Sequence, residues 1–277
     1  MIELRKDINP KQTTLDKLAE FQSEIDSMAT FTERSKQADV MFRNRKNNKA
    51  FDDVKNCLTK MCNSTRRCVC CEDSLADEIE HIYPKNLFPG KCFRWDNYVY
   101  ACGPCNGPKN NKFAIFRADN GQFQEINPPT GTPATEPLQG EAAIINPRVE
   151  NPLDYCILDL KTFKFIVLGR ISAKDKKKAD YTFNTVLRLN DTEREPVRQA
   201  RENAFEDYRK RLFYYVSKKM KNDTPKSQLQ KMIEEIKKAD HPTVWKEVQR
   251  YHQTGKLEKI DKEFDDFFKS APEALNC

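Results

Sequence analysis

The sequence predicts an α+β chain, mainly helical, arranged around a small cysteine-rich centre. Three observations carry this expectation. Apolar residues recur at helical spacing near the N-terminus and again after residue 173. Between residues 68 and 113 that period gives way to short strand-like pieces and turns. Most of the ten cysteines fall between positions 57 and 105, a concentration that scattered thiols would not produce. The corresponding division is an N-terminal helical arm (1–60), a cysteine-rich core (61–120), loops and short strands (121–172) and a C-terminal helical region (173–277).

The first helix is read from "TTLDKLAEFQSEIDSM", where Leu15, Leu18, Phe21, Ile25 and Met28 share one face and Thr13 or Thr14 is placed to cap it. "FDDVKNCLTKM" repeats the pattern through Phe51, Val54, Leu58 and Met61, which makes Cys57 and Cys62 buried thiols rather than ligands. Residues 119–152 are rich in turn formers, with "NPPTGTPATEPLQG" as a surface excursion. "DYCILDL" and "KFIVLG" read as two strands joined at "KTF". In "EPVRQARENAFEDYRKRLFYYVSKKM", Val197, Ala204, Tyr208, Leu212, Tyr215 and Lys219 form a stripe, with Pro196 in the first turn. "TPKSQLQKMIEEIKK" opens with Thr224 as cap and Pro225 in the first helical position. "PTVWKEVQRYHQTG" ends on a glycine suited to a helix C-terminus, and "LEKIDKEFDDFFK" adds a last stripe of Leu257, Ile260, Phe264 and Phe267. No internal repeat is visible.

A chain of 277 residues is long enough to bury a real core. Its content is 38% hydrophobic and 32% charged. No apolar run approaches the roughly 18 residues of a membrane span, and "MIELRKDINPKQ" lacks the apolar region of a secretory signal. A cytoplasmic location without membrane contact is therefore expected. The formal net charge of +6 suits a polyanionic partner. The basic runs "RNRKNNK", "STRRC", "KDKKK" and "KKMKNDTPK" are either solvated helix faces or a rim around a phosphate-directed site.

In a reducing compartment the cysteines point to metal rather than disulfides. Cys68 and Cys71 form one Cys-x-x-Cys pair, and Cys102 and Cys105 form another. Four thiolates in two such knuckles satisfy a structural Zn²⁺. Cys70 competes with Cys71, but it stands only two positions from Cys68 and makes a poor knuckle.

Between the knuckles lie Glu78-Ile79-Glu80-His81-Ile82-Tyr83-Pro84-Lys85 and then Trp95-Asp96-Asn97, with Asn106 directly after Cys105. His81 has no rival: His241 and His252 lie in C-terminal helical sequence and read as structural or exposed. The ordered pattern Cys-x-x-Cys, acidic-His-Ile-x-Pro, Asn, Cys-x-x-Cys-Asn, Lys over residues 68–112 resembles the HNH, or ββα-metal, endonuclease family. The resemblance implies a zinc-stabilised, treble-clef-like ββα core that grips a divalent ion against a scissile phosphate. It implies His81 as general base, Asn97 as the residue that orients the imidazole, and Glu80 and Asn106 as ligands of Mg²⁺ or Mn²⁺. Histidine suits the base role near neutrality, and hard oxygen ligands suit those cations. Two positions depart from the common pattern: Glu80 stands where Asp is frequent, and Asn106 where His is frequent. Neighbours on a regular strand face opposite sides, so Glu80 and His81 share a site only where the strand ends or bulges, and Glu78 is the fallback ligand. Trp95 and Tyr98 are expected to pack under the hairpin, and Lys109 and Lys112 are either phosphate contacts or solvated lysines.

A narrower likeness rests on "IEHIYPK", "RWDNYVYACGPCNGPKNNKF", "IINPRVENPLDY" and "TFNTVLRLNDTEREPVRQAR". These phrases are similar to the HNH partner nucleases of Septu and related retron-associated anti-phage systems. That resemblance implies a DNA-cleaving effector and an ABC- or SMC-like ATPase partner, with the helical arms as docking surfaces. The alternatives are a stand-alone HNH restriction-type nuclease, an RNA-cleaving nuclease, and a non-catalytic zinc module that binds nucleic acid or protein. The last of these has no use for His81, Glu80 and Asn106 together.

Overall fold

A computed structural model describes residues 1–62, 65–126, 135–221 and 223–277. Three helices open the chain: α1 (Gln12–Asp26), α2 (Phe31–Arg45) and α3 (Lys49–Met61). The sequence stripes become their buried faces, Leu18, Phe21 and Ile25 on α1 and Phe51, Val54, Leu58 and Met61 on α3. Starts are fixed locally: Thr30 and Glu33 form a reciprocal capping box on α2, and the Asn48 side chain caps α3. Lys11, with no side-chain cap bond, is the cap residue of α1, two positions ahead of Thr13, and Thr14 is buried within the helix instead.

Strand β1 (Glu78–His81) pairs antiparallel with β2 (Tyr98–Ala101), with Glu78 opposite Ala101 and His81 opposite Tyr98. Helix α4 (Gly103–Lys109) follows at once. Phe21, Phe42, Phe51, Phe93 and Tyr98 make one aromatic core beneath this pair, with ring centroids 5.3–6.2 Å apart. Each ring so buried contributes roughly 1.5–3 kcal/mol of hydrophobic stabilisation, so α1–α3 hold the β1–β2 connection from below.

The next segment, read from sequence as loop-rich, contains a three-stranded antiparallel sheet in the order β4 (Phe123–Glu125), β3 (Ala114–Arg117), β5 (Gly140–Ala142). Most of the turn-rich excursion, residues 127–134, lies outside the described residues. Strands β6 (Cys156–Leu158) and β7 (Phe165–Val167) pair antiparallel across the turn at "KTF". Helix α5 (Ala173–Asp180) runs into a π-helical turn over Tyr181–Val186. The long helix α6 (Glu195–Met220) is followed by α7 (Lys226–Lys237), α8 (Pro242–Gln253) and α9 (Lys262–Ser270). Pro225, not Thr224, occupies the cap position of α7, because the Thr224 hydroxyl donates to the Lys218 carbonyl 3.0 Å away.

The described chain divides into two compact units. The first comprises Met1, Glu3–Tyr155 and Leu168–Arg188; the second comprises Ile2, Cys156–Val167 and Leu189–Cys277. In the second, Tyr208 of α6 stacks on Trp245 of α8 at 5.0 Å, and His252 bonds Asp265 at 2.7 Å, a structural use of that histidine. Among the described residues no helix is long and apolar enough to cross a membrane.

Candidate functional site

Two clusters are built on the β1–β2–α4 segment of the first unit. The first is made of sulfur. The Val69 N–H donates to the Tyr100 carbonyl and the Asp77 N–H to the Ala101 carbonyl, each 3.0 Å, which hangs the first cysteine pair on β2. Glu72 closes that knuckle in a left-handed turn (φ 65°) with its N–H on the Cys68 carbonyl. The second pair starts α4, where Cys102 is the cap residue and its carbonyl accepts from Cys105 and Asn106. The ligand atoms of Cys68, Cys71, Cys102 and Cys105 all lie within 4.8 Å of one another, and all four residues are buried. Tetrahedral zinc with sulfur at about 2.3 Å sets its ligands about 3.8 Å apart, and the Cys71 and Cys102 sulfurs are separated by 3.8 Å. The cluster could hold a zinc ion. The sulfurs share their protons: hydrogen bonds from the neighbouring thiols, that of Cys102 first, push the Cys68 thiol well down, while those of Cys102 and Cys105 are pushed up. Cys57, Cys62 and Cys70 are buried thiols outside the set.

The second cluster surrounds His81, the last residue of β1. Its ring is 3% exposed and packs edge-on against Phe42 (4.4 Å) and Tyr98 (5.2 Å). Nε2 lies 2.9 Å from the Cys92 carbonyl, which also accepts the Tyr98 hydroxyl at 2.8 Å. A carbonyl cannot donate, so Nε2 carries the proton and Nδ1 keeps its lone pair. Burial, and secondarily the nearby Lys85 ammonium, pushes the imidazole down to about 3. The ring is therefore neutral throughout the neutral range.

His81 borders a cleft of about 310 Å³ together with Glu78, Glu80, Lys85 and Asn106. Each carboxylate in it has a partner from α4. The Asn106 amide donates to Glu78, and the Lys109 ammonium pairs with Glu80 while also donating to the His81 carbonyl at 2.8 Å. Lys109 is buried, with only 6% of its side chain exposed, against 13% for Glu80. Glu78 is the exposed member and faces a neutral amide.

The structure thus brings His81, Glu80, Glu78 and Asn106 to one cleft; the strand ends at His81, so alternation does not separate it from the two glutamates. Asn97 differs from the expectation that it orients the imidazole. Its amide donates to the Tyr83 and Lys91 carbonyls and accepts from the Tyr83 N–H, at 2.8–3.0 Å. It staples the two ends of the 83–91 loop, and the bond to the ring comes from the carbonyl next along, that of Cys92. Lys109 is an internal cation and not a free phosphate contact, and Lys112 reaches the Thr185 carbonyl at 3.4 Å. Sequence reasoning missed the Lys109–Glu80 pair, although Lys109 lies three positions after Asn106 and so shares its helical face. No sequence signal marks the Cys92 carbonyl, because a backbone group has no residue type.

No family model matches the chain, and no solved structure matches it. One curated relative does. The chain is similar to the Septu protein PtuB of Bacillus thuringiensis. The two are 33% identical over 86 residues, a stretch that makes up 29% of this chain and 30% of that relative. The match thus spans about a third of the length of PtuB or less.

Proposed function

We propose that this chain is a metal-dependent HNH endonuclease that hydrolyses phosphodiester bonds of DNA. Its setting on this reading is an anti-phage defence system in which it is the effector nuclease beside an ABC- or SMC-like ATPase. The observation that carries the chemistry is the convergence in one cleft of a neutral imidazole with a fixed tautomer and a carboxylate–amide pair. The likeness to a Septu protein supports the defence setting.

Glu78 and Asn106 are the residues that would hold Mg²⁺ or Mn²⁺, with Glu80 beside them. Carboxylate and amide oxygens are the hard donors those cations take, and the cleft leaves room for the water ligands they retain. Glu78 is the better first ligand than Glu80, because Lys109 already neutralises Glu80. When bound, the cation supplies positive charge to the phosphate and to the leaving oxygen. The chain supplies the rest. Nδ1 of His81 takes the proton of the attacking water as the water oxygen bonds to phosphorus. The bond from phosphorus to the leaving oxygen then breaks, and that oxygen is protonated by solvent. The Cys92 carbonyl steadies the ring as it becomes charged, and the negative phosphate raises the affinity of the imidazole for its proton. The four cysteines would hold a structural zinc that ties β2 to α4.

The test is plasmid and RNA cleavage by the wild-type chain and by His81→Ala, with Mg²⁺ or with EDTA, alone and with the proposed ATPase partner. Mg²⁺-dependent nicking of DNA by the wild type only is expected. Equal nicking by both proteins, or none by either with the ATPase present, favours the non-catalytic zinc module.

A further inference from the structure

The cleft does not end at His81. A second lobe of about 330 Å³ shares Glu78, Glu80, His81, Lys85 and Asn106 with the first and extends toward α2 and α3. The two lobes therefore form one trench whose reacting corner is in the middle. Their outer walls differ in chemistry. Beyond the shared residues the first lobe is closed by the amides Asn110 and Asn111 and the second by Arg43, Lys46 and Lys55.

The charges in the second lobe can be assigned one by one. Asp39 is engaged by Arg43 and by Lys85, the latter at 3.4 Å. Glu80 is engaged by Lys109, and Glu78 by Asn106. Asp77, also on the wall, is exposed and, like Glu78, has no cationic partner among the described residues, so the lobe's cations and carboxylates stand on the same wall. Among the described residues neither Lys46 nor Lys55 has an ion-pair partner. They come from different elements, the residue capping the C-terminus of α2 and the second turn of α3, yet they border one lobe. Unpaired ammonium groups on the wall of a cleft, with Asn47 between the helices, suit a run of phosphates better than a single small anion, since each phosphate of a strand brings its own charge.

We infer that Lys46 and Lys55 form a backbone-phosphate subsite that carries the substrate strand on one side of the scissile bond, with Asn110 and Asn111 on the other. The inference rests on the nuclease reading and adds to it: the substrate is a nucleic-acid strand that runs through the trench and continues past the reacting corner in both directions. Cleavage is then internal and needs no strand end.

The experiment is carried out on the full chain. In the His81→Ala background, binding of a 20-base-pair duplex is measured by fluorescence anisotropy across a salt series. Lys46→Glu with Lys55→Glu should weaken binding at least tenfold and make the log K against log salt slope shallower by about 2, close to 0.9 per lost phosphate contact. Lys161→Glu with Lys164→Glu, outside the trench, should bind within twofold of the parent. In the His81-intact protein, the Lys46/Lys55 pair should lose cleavage of a closed DNA circle while hydrolysis of bis(p-nitrophenyl) phosphate stays within twofold. Unchanged affinity and slope, or equal loss on the small diester, overturns the subsite and leaves the nuclease reading standing. No hydrolysis of either substrate by the wild type, alone or with the proposed ATPase partner, overturns the nuclease reading itself.

Discussion

The two sides of helix α4 can be set against each other. On one side Cys102 and Cys105 join Cys68 and Cys71 in a buried cluster of four sulfurs. On the other, Asn106 and Lys109 reach Glu78 and Glu80, so that each acidic group already has a protein partner. The sulfur side cannot carry four thiolates without a cation among them, because like charges in a dry interior repel and desolvation opposes each one. On the cleft side the same helix supplies both partners: Lys109 neutralises Glu80 in an ion pair, while Glu78 is met by the neutral Asn106 amide. On the proposed reading, an ion at the sulfur cluster would be part of the fold, while one in the cleft would visit a surface already bonded without it.

The contrast breaks first at the cysteines. Structural zinc contributes on the order of 10–16 kcal/mol to a small domain, as much as or more than the net stability of about 5–15 kcal/mol of a whole protein. Cys68→Ser or Cys105→Ser should therefore yield insoluble or unfolded chain; a soluble, zinc-free variant with unchanged thermal melting contradicts this. His81→Ala should leave the zinc content alone and lower cleavage by about 10²–10⁴-fold, the range of a lost general base. Kinetics and zinc analysis on the same preparation check both halves of that statement.

Lys109→Met sharpens the comparison at the buried pair. It strands Glu80 in a site where only 13% of its side chain meets water, and a broken buried pair costs about 3–5 kcal/mol. Adding Glu80→Gln should recover most of that loss in urea denaturation, the coupling expected of direct partners. A Lys109→Met chain as stable as wild type would make the pair a surface ornament.

The smallest effect concerns acid. His81 is held neutral, with its folded value about 3 against about 6.5 when unfolded. The unfolded chain binds the extra proton first, so this contribution is complete above pH 6.5 and is lost as pH falls toward 3. Between pH 7 and pH 5 the wild type should lose about 2 kcal/mol more than a His81→Leu variant, at about 1.4 kcal/mol per unit. Parallel curves for the two proteins would mean that the ring is solvated.

These two sides also differ in how readily they could be read from sequence. The sulfur set was legible because its chemistry needs one residue type at a fixed spacing, and the spacing survives folding. The helical stripes of α1, α3 and α6 were legible for the same reason, as were the strands β6 and β7. The cleft was legible only as a roster. Which group orients His81 depends on how the 83–91 loop folds back, and the answer is a carbonyl at Cys92 with Asn97 as the staple of the loop. The choice between Glu78 and Glu80 depends on which faces Lys109, a matter of packing across α4. The β4–β3–β5 sheet escaped notice because β4 and β5 are three residues each, too short to display a period of two amid turn formers.

On the proposed reading, one scaffold would take two ions of different standing, a zinc that stays and a Mg²⁺ that exchanges. The direct measurement follows a single preparation, passed briefly through EDTA and desalted, for both zinc content and plasmid cleavage, alone and with the proposed ATPase partner. The account predicts one zinc retained per chain, cleavage abolished, and cleavage restored by Mg²⁺ alone. Cleavage that persists on the retained zinc, or fails to return when Mg²⁺ is supplied to the zinc-loaded chain, contradicts it.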